Sequence, residues 1–156
     1  MTLLVPFDGS ELSRAALVRA REFGAVFEYP VFAVSIVPQE NTRYARERGW
    51  IDEIEQFDLR TVISRLQASV TDTCPGATFK HVTVDRYASP GVISKRLRKV
   101  AKSENAVMVF IGSENAGRIV AGLSSAGAGV ATDTGYDVVI VRHTDPTNIG
   151  ALSSDT

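Results

Sequence analysis

Six consecutive apolar residues, Ala106 to Ile111, followed at once by Gly112-Ser113, constrain this fold more than any other feature of the chain. A strand with one face in water alternates apolar and polar residues. A wholly apolar strand has to be covered on both faces, which is the position of a strand inside a parallel sheet flanked by helices.

The rest of the chain supplies partners for such a strand. Leu3-Leu4-Val5-Pro6 is a short apolar run that meets the turn signal Asp8-Gly9-Ser10, and Leu12, Ala15, Ala16, Leu17 and Ala20 then recur at helical spacing. Val31 to Val37 is a second strand, stopped by Pro38. Beyond a charged stretch, the three- and four-residue steps of Ile51, Ile54, Leu59, Val62, Ile63, Leu66 and Val70 predict one long amphipathic helix. Phe79, His81, Val82 and Val84 read as a third strand, and Ser89-Pro90 provides an N-cap with proline at the first position of a helix that runs to about Glu104. Val138 to Val141 is the last strand.

Strands separated by helical segments need crossover connections. The expected architecture is therefore α/β: a five-stranded parallel doubly wound sheet with helices on both faces and right-handed crossovers. Ligands in such sheets bind beyond the carboxyl ends of the strands, near the reversal of strand order. That rule selects four loops: Phe7 to Ser10, Val37 to Gln39, Asp85 to Ala88, and the segment after Gly112. One domain over residues 1–143 is expected, with a polar C-terminal tail over 144–156.

Composition narrows the function. Seventeen basic residues against 18 acidic ones leave a net charge of -1, so no general field favours nucleic acid or an anionic membrane as partner. No stretch approaches the ~20 apolar residues that span a bilayer, and the N-terminus has no basic leader. Cys74 is the single cysteine, which excludes a disulfide within the chain and suits a reducing, cytoplasmic setting. His81 and His143 fall in no metal or catalytic spacing, the nucleophile-elbow pattern Gly-x-Ser-x-Gly is absent, and no Walker-type lysine accompanies the glycines. Arg43, Arg46 and Arg48 with Tyr44 and Trp50 form a basic and aromatic cluster, but Glu47, Asp52, Glu53 and Glu55 interleave with it, so a solvated helix face is expected there.

Val5-Pro6-Phe7-Asp8-Gly9-Ser10, followed by Ser13, Ala15 and Ala16, resembles the opening of the universal stress proteins. Val34 to Pro38, Ala106 to Gly112 and Val138 to Arg142 extend the resemblance over about residues 1 to 143. It implies an adenine nucleotide-binding or sensing module acting in stress response, without clear catalytic machinery. ATP or another adenine nucleotide would be the ligand, with magnesium only alongside it. Asp8, with Pro6 before it, would hydrogen-bond adenine or ribose, and backbone near Val37 would flank the base. The phosphates would lie on a loop of pattern Gly, two residues, Gly, nine residues, Gly, then Ser or Thr.

Gly112 matches the first glycine of that loop; Asn115 stands at the second, and Ser124-Ser125 at the final pair with one residue fewer between. A rival register uses Gly117 and Gly127 but lengthens the first gap and ends in Ala128. Asn115 is able to adopt a left-handed backbone, the two serines offer hydroxyls and amides at a helix start, and Arg118 offers a cation. The competing reading is a plain turn joining strand to helix, just as Asp8-Gly9-Ser10 can be an ordinary helix-capping turn. The resemblance further implies a homodimer through the last strand, and an apolar edge strand there needs pairing or cover. The alternative function is a dimeric protein-interaction module that keeps the fold, binds an unknown protein partner and has no nucleotide site. An ATP-using transferase is a third option.

Overall fold

The computed structural model describes residues 1–113 and 135–144. Within them, β1 (Thr2–Pro6), β2 (Val31–Pro38), β3 (Thr78–Val84), β4 (Ala106–Gly112) and β5 (Asp137–Val141) form one sheet in the order β3-β2-β1-β4-β5. All four pairings are parallel. The expected doubly wound architecture is therefore present, with its reversal of strand order between β1 and β4.

Alternation along each strand divides the core in two, because successive side chains point to opposite faces. Leu3, Val5, Ala33, Val37 and Phe110 pack on one face with Ala16, Leu17 and Ala20 of α1 (Glu11–Phe27). Leu4, Val34, Val109 and Ile111 pack on the other with Leu97, Val100 and Ala101 of a second long helix, Pro90–Ser103. The apolar run of β4 is thus buried from both sides, as its composition requires.

Helix ends follow the capping residues. Ser10 caps α1 through a hydrogen bond from the Ser13 amide, and α1 stops where Glu28 turns left-handed (φ 60°) and donates its amide to the Gly24 carbonyl. Ser89 caps the helix that begins at Pro90 by accepting the Val92 amide, as expected.

The helix expected to start near Ile51 does not. A short α2 (Thr42–Glu47) comes first, and α3 begins only at Leu59 and ends at Thr73, which makes the Pro90–Ser103 helix α4. Between α2 and α3, the Asp52 carboxylate accepts the amides of Ile54 (3.0 Å) and Glu55 (2.8 Å), while Glu55 accepts the Asp52 amide (3.0 Å). These local bonds satisfy the backbone in a turn that competes with a helix. Ile51 is buried beneath that turn, whereas Ile54 is 90% exposed, so their three-residue spacing has no helical meaning.

Candidate functional site

The end of β1 lies at the switch point, and its sequence suits the place. Proline cannot donate to a ladder and is excluded from most central-strand positions. Pairing with β4 runs only from Thr2↔Ala106 to Leu4↔Val109, so Pro6 stands beyond that ladder while still in register with Val34 of β2. The β1–β4 ladder has ended here, at the switch point where sheets of this kind leave a crevice beyond the strand ends. Phe7 stays attached to β2: its amide donates to the Val34 carbonyl (2.8 Å), and the buried Ser35 hydroxyl donates to the Phe7 carbonyl.

Asp8 follows, half-buried and held on two sides. Its carboxylate accepts the Ser10 amide at 3.0 Å, and its carbonyl accepts the indole N–H of Trp50 at 2.7 Å. Gly9 between them takes φ +84°, a conformation that side chains oppose. Of the two expected caps, Ser10 caps the helix and Asp8 shapes the turn before it. The Ser13 hydroxyl donates back to the Ser10 carbonyl (2.9 Å), which locks the first helical turn.

Val37 is fully buried in the core, and its side chain is unavailable to a ligand. What the end of β2 can offer is backbone. The β2 and β3 loops are knitted together beyond it: the Gln39 amide donates to the Val84 carbonyl (2.9 Å), Asn41 Nδ2 to the Arg86 carbonyl (2.8 Å), and Arg86 Nε to the Glu40 carbonyl (2.9 Å). The Asp85 to Ala88 loop is thus braced against the start of α2.

Gly112 ends β4 directly under α1. A Cβ there would lie 2.8 Å from the Leu12 carbonyl carbon and 3.0 Å from Leu12 Cβ and O, inside any tolerable contact. The glycine is required by helix packing, whatever else the loop does. That close approach also brings the β4 end to the helix start that follows Asp8 to Ser10. Pro6, Asp8, Val37 and Gly112 consequently share the carboxyl edge of the sheet. Asn115, Arg118, Ser124 and Ser125 lie outside the described residues, as does the tail beyond Thr144.

Trp50 is the site residue that sequence reasoning missed. It is 4% exposed, packs in the core beside Tyr44 (5.6 Å between rings), and is no part of a solvated helix face. Its segment is anchored by Arg65, which donates to the Trp50 carbonyl (2.8 Å) and forms a two-pronged ion pair with Glu55 (2.9 Å each). The bonded guanidinium lowers the Glu55 pKa below the usual carboxylate range. The only advance signal was a lone tryptophan in a polar stretch. The neighbouring cations are engaged locally: Arg43 pairs with Glu47 (3.2 Å), Arg46 donates to the Glu55 carbonyl (3.1 Å), and Arg48 lies 3.4 Å over the Tyr44 ring.

Among the described residues no three His, Cys, Asp or Glu side chains converge as a metal site, and no helix is long and apolar enough to cross a membrane. Burial pushes the Cys74 thiol above its ordinary range, so at neutral pH it is a protonated core residue and a poor nucleophile. The arrangement suits holding a ligand against backbone and one carboxylate.

Several solved structures share this fold at low identity. One is a universal stress protein in complex with cAMP, 22% identical, with a TM-score of 0.52, covering 93% of this chain and 98% of that one. Another, from Burkholderia pseudomallei, is 20% identical with a TM-score of 0.56, covering 91% and 96%. A third, the universal stress protein of Archaeoglobus fulgidus in complex with dAMP, is 17% identical with a TM-score of 0.50, covering 91% and 98%. No curated protein matches the sequence. Below a quarter identity, such likeness establishes the sheet and its connections. Membership rests on the sequence itself, since the universal stress protein family model matches residues 1–145, from the first strand past the last. The chain belongs to the universal stress protein family.

Proposed function

We propose that the chain binds an adenine nucleotide in the crevice between β1 and β4, and that the bound state alters its affinity for a protein partner during stress. The observation that carries this reading is Asp8: a half-buried residue fixed at the switch point, its carboxylate by the Ser10 amide and its carbonyl by the Trp50 indole, next to a β4 end that only glycine fits. A carboxylate accepts several hydrogen bonds at once, so shaping the turn and receiving a ribose or adenine donor are compatible roles. Complexes of two structural neighbours with cAMP and dAMP support the choice of ligand class. Pro6 and the backbone at Val37 would flank the base. The segment holding Asn115, Arg118, Ser124 and Ser125 would take the phosphates, with ATP and magnesium as one form of the ligand. No step of catalysis is assigned.

The family domain would span residues 1–143, act in the cytoplasm, and dimerise through β5. Val138 and Ile140 are each 38% exposed at that sheet edge, which favours pairing with a second copy. The same edge supports a second reading, an interaction module with no nucleotide site, because Leu12 alone accounts for Gly112.

Calorimetric titration with AMP, cAMP and ATP separates the two readings. Saturable binding that Asp8→Ala weakens at least tenfold is expected. Absence of binding at millimolar nucleotide, with the dimer intact, selects the interaction module instead.

A further inference from the structure

Helix α4 carries a charge pattern that the nucleotide crevice does not use. Six cations and no carboxylate occur from Arg86 to Ser103, although the whole chain is nearly neutral. Five of them, Lys95, Arg96, Arg98, Lys99 and Lys102, line one groove of about 800 Å³ along the helix, and no acidic residue of the described chain joins them. Val92, Ala101 and Ala106 give the groove an apolar floor. It extends to Asn105 and Ala106, at the amino end of β4, and to Tyr136, just before β5. That is away from the carboxyl edge where Asp8 lies.

Four of these charges are unmatched within the described chain. Lys95, Arg96, Arg98 and Lys99 form no ion pair, and the nearest carboxylate along the sequence, Glu104, is engaged by Lys80 at 3.1 Å. The Arg98 Nε is buried without an acceptor. Like charges at three- and four-residue spacing repel along a helix, so the pattern opposes helix stability. An anion in the groove would relieve that repulsion and provide acceptors.

The geometry points to a linear polyphosphate chain as the ligand of this groove. Lys95, Lys99 and Lys102 stand on successive turns, so positive charge recurs about every 4.5–6 Å along the axis, a rise that suits a chain of phosphates better than one isolated anion. Binding of single-stranded nucleic acid relies on successive aromatic faces on which bases stack. Among the described residues the groove has one aromatic side chain, the half-buried Tyr136. Phosphate oxygens need only the cations.

The test is calorimetry of the full chain with medium-chain inorganic polyphosphate. Saturable binding is expected, falling roughly a hundredfold between about 50 mM and 200 mM salt as counterions are released. The double variant Lys95→Glu, Lys99→Glu should lose at least tenfold in affinity while keeping its circular dichroism spectrum and its response to AMP. Asp8→Ala should leave polyphosphate binding unchanged. The proposal is overturned by an absence of binding at low salt, by a double variant that binds like the parent, or by loss of polyphosphate binding in Asp8→Ala. It is equally overturned if an oligo-dT or polyglutamate chain of equal charge binds more tightly.

Discussion

The loop after β1 and the outer face of α4 treat polar groups in opposite ways. Around Asp8, donors and acceptors are matched inside the protein: carboxylate to the Ser10 amide, carbonyl to the Trp50 indole, and the Trp50 carbonyl to Arg65. Along α4, four cations stand without a carboxylate partner among the described residues. Matched groups hold a shape in place before anything binds. Unmatched ones leave electrostatic energy that an external anion can satisfy. On the readings proposed above, one region would place a ligand precisely and the other would attract one without much shape.

Removing Trp50 should break that contrast most severely. Trp50→Ala takes away a core side chain together with the donor to Asp8, and truncation of a buried tryptophan costs about 3–5 kcal/mol. In a chain of this size the expected fall in melting temperature is roughly 10 °C. Trp50→Phe keeps most of the apolar volume but not the indole N–H, so it should cost no more than about 1–2 kcal/mol. Nucleotide affinity should then fall further than stability does. A Trp50→Phe protein that binds AMP like the parent would show that the indole bond does not position Asp8.

Gly112→Ala probes the same edge with a smaller expected effect. The added methyl meets the Leu12 backbone at 2.8 Å, whereas at Gly76 nothing lies within 4 Å of the same position. Overpacking of this kind costs about 1–3 kcal/mol, and Gly76→Ala, which merely restricts the unfolded chain, should be neutral or slightly stabilising. Thermal denaturation of the pair reads the difference. If Gly112→Ala melts with the parent but loses nucleotide, the glycine serves the ligand rather than Leu12.

These positions differ in how far sequence could reveal them. The strands and the α1 and α4 caps were legible because their signals are local: an apolar run, a period, a serine before a helix. Asp8, Val37 and Gly112 were legible because strand ends locate them, Val37 and Gly112 among the last residues of their strands and Asp8 just beyond β1. Trp50 was not, since what buries it is a bond to a residue 42 positions away, and no neighbouring residue announces it. Ile51 and Ile54 misled for a related reason. Their spacing fits a helix, but Asp52 and Glu55 satisfy the backbone as a turn, a competition that periodicity does not register. The lysines and arginines of α4 were visible as letters, yet only their convergence on one groove gives them a meaning beyond solvation.

The smallest expected effect sharpens the comparison most, because its sign differs between the two properties measured. Lys95→Glu removes repulsion with Arg98 and Lys99 and replaces it with attraction, the acidic residue preceding the basic one in the favoured orientation. Each such pair contributes roughly 0.2–0.5 kcal/mol, so the variant should melt slightly above the parent at low salt, and the gain should shrink as salt rises. Polyphosphate affinity should fall in the same protein. A residue retained only for stability would not be better replaced by its opposite charge. Were Lys95→Glu instead destabilised at low salt, the cations of α4 would be satisfied within the fold, and both regions would then be matched internally.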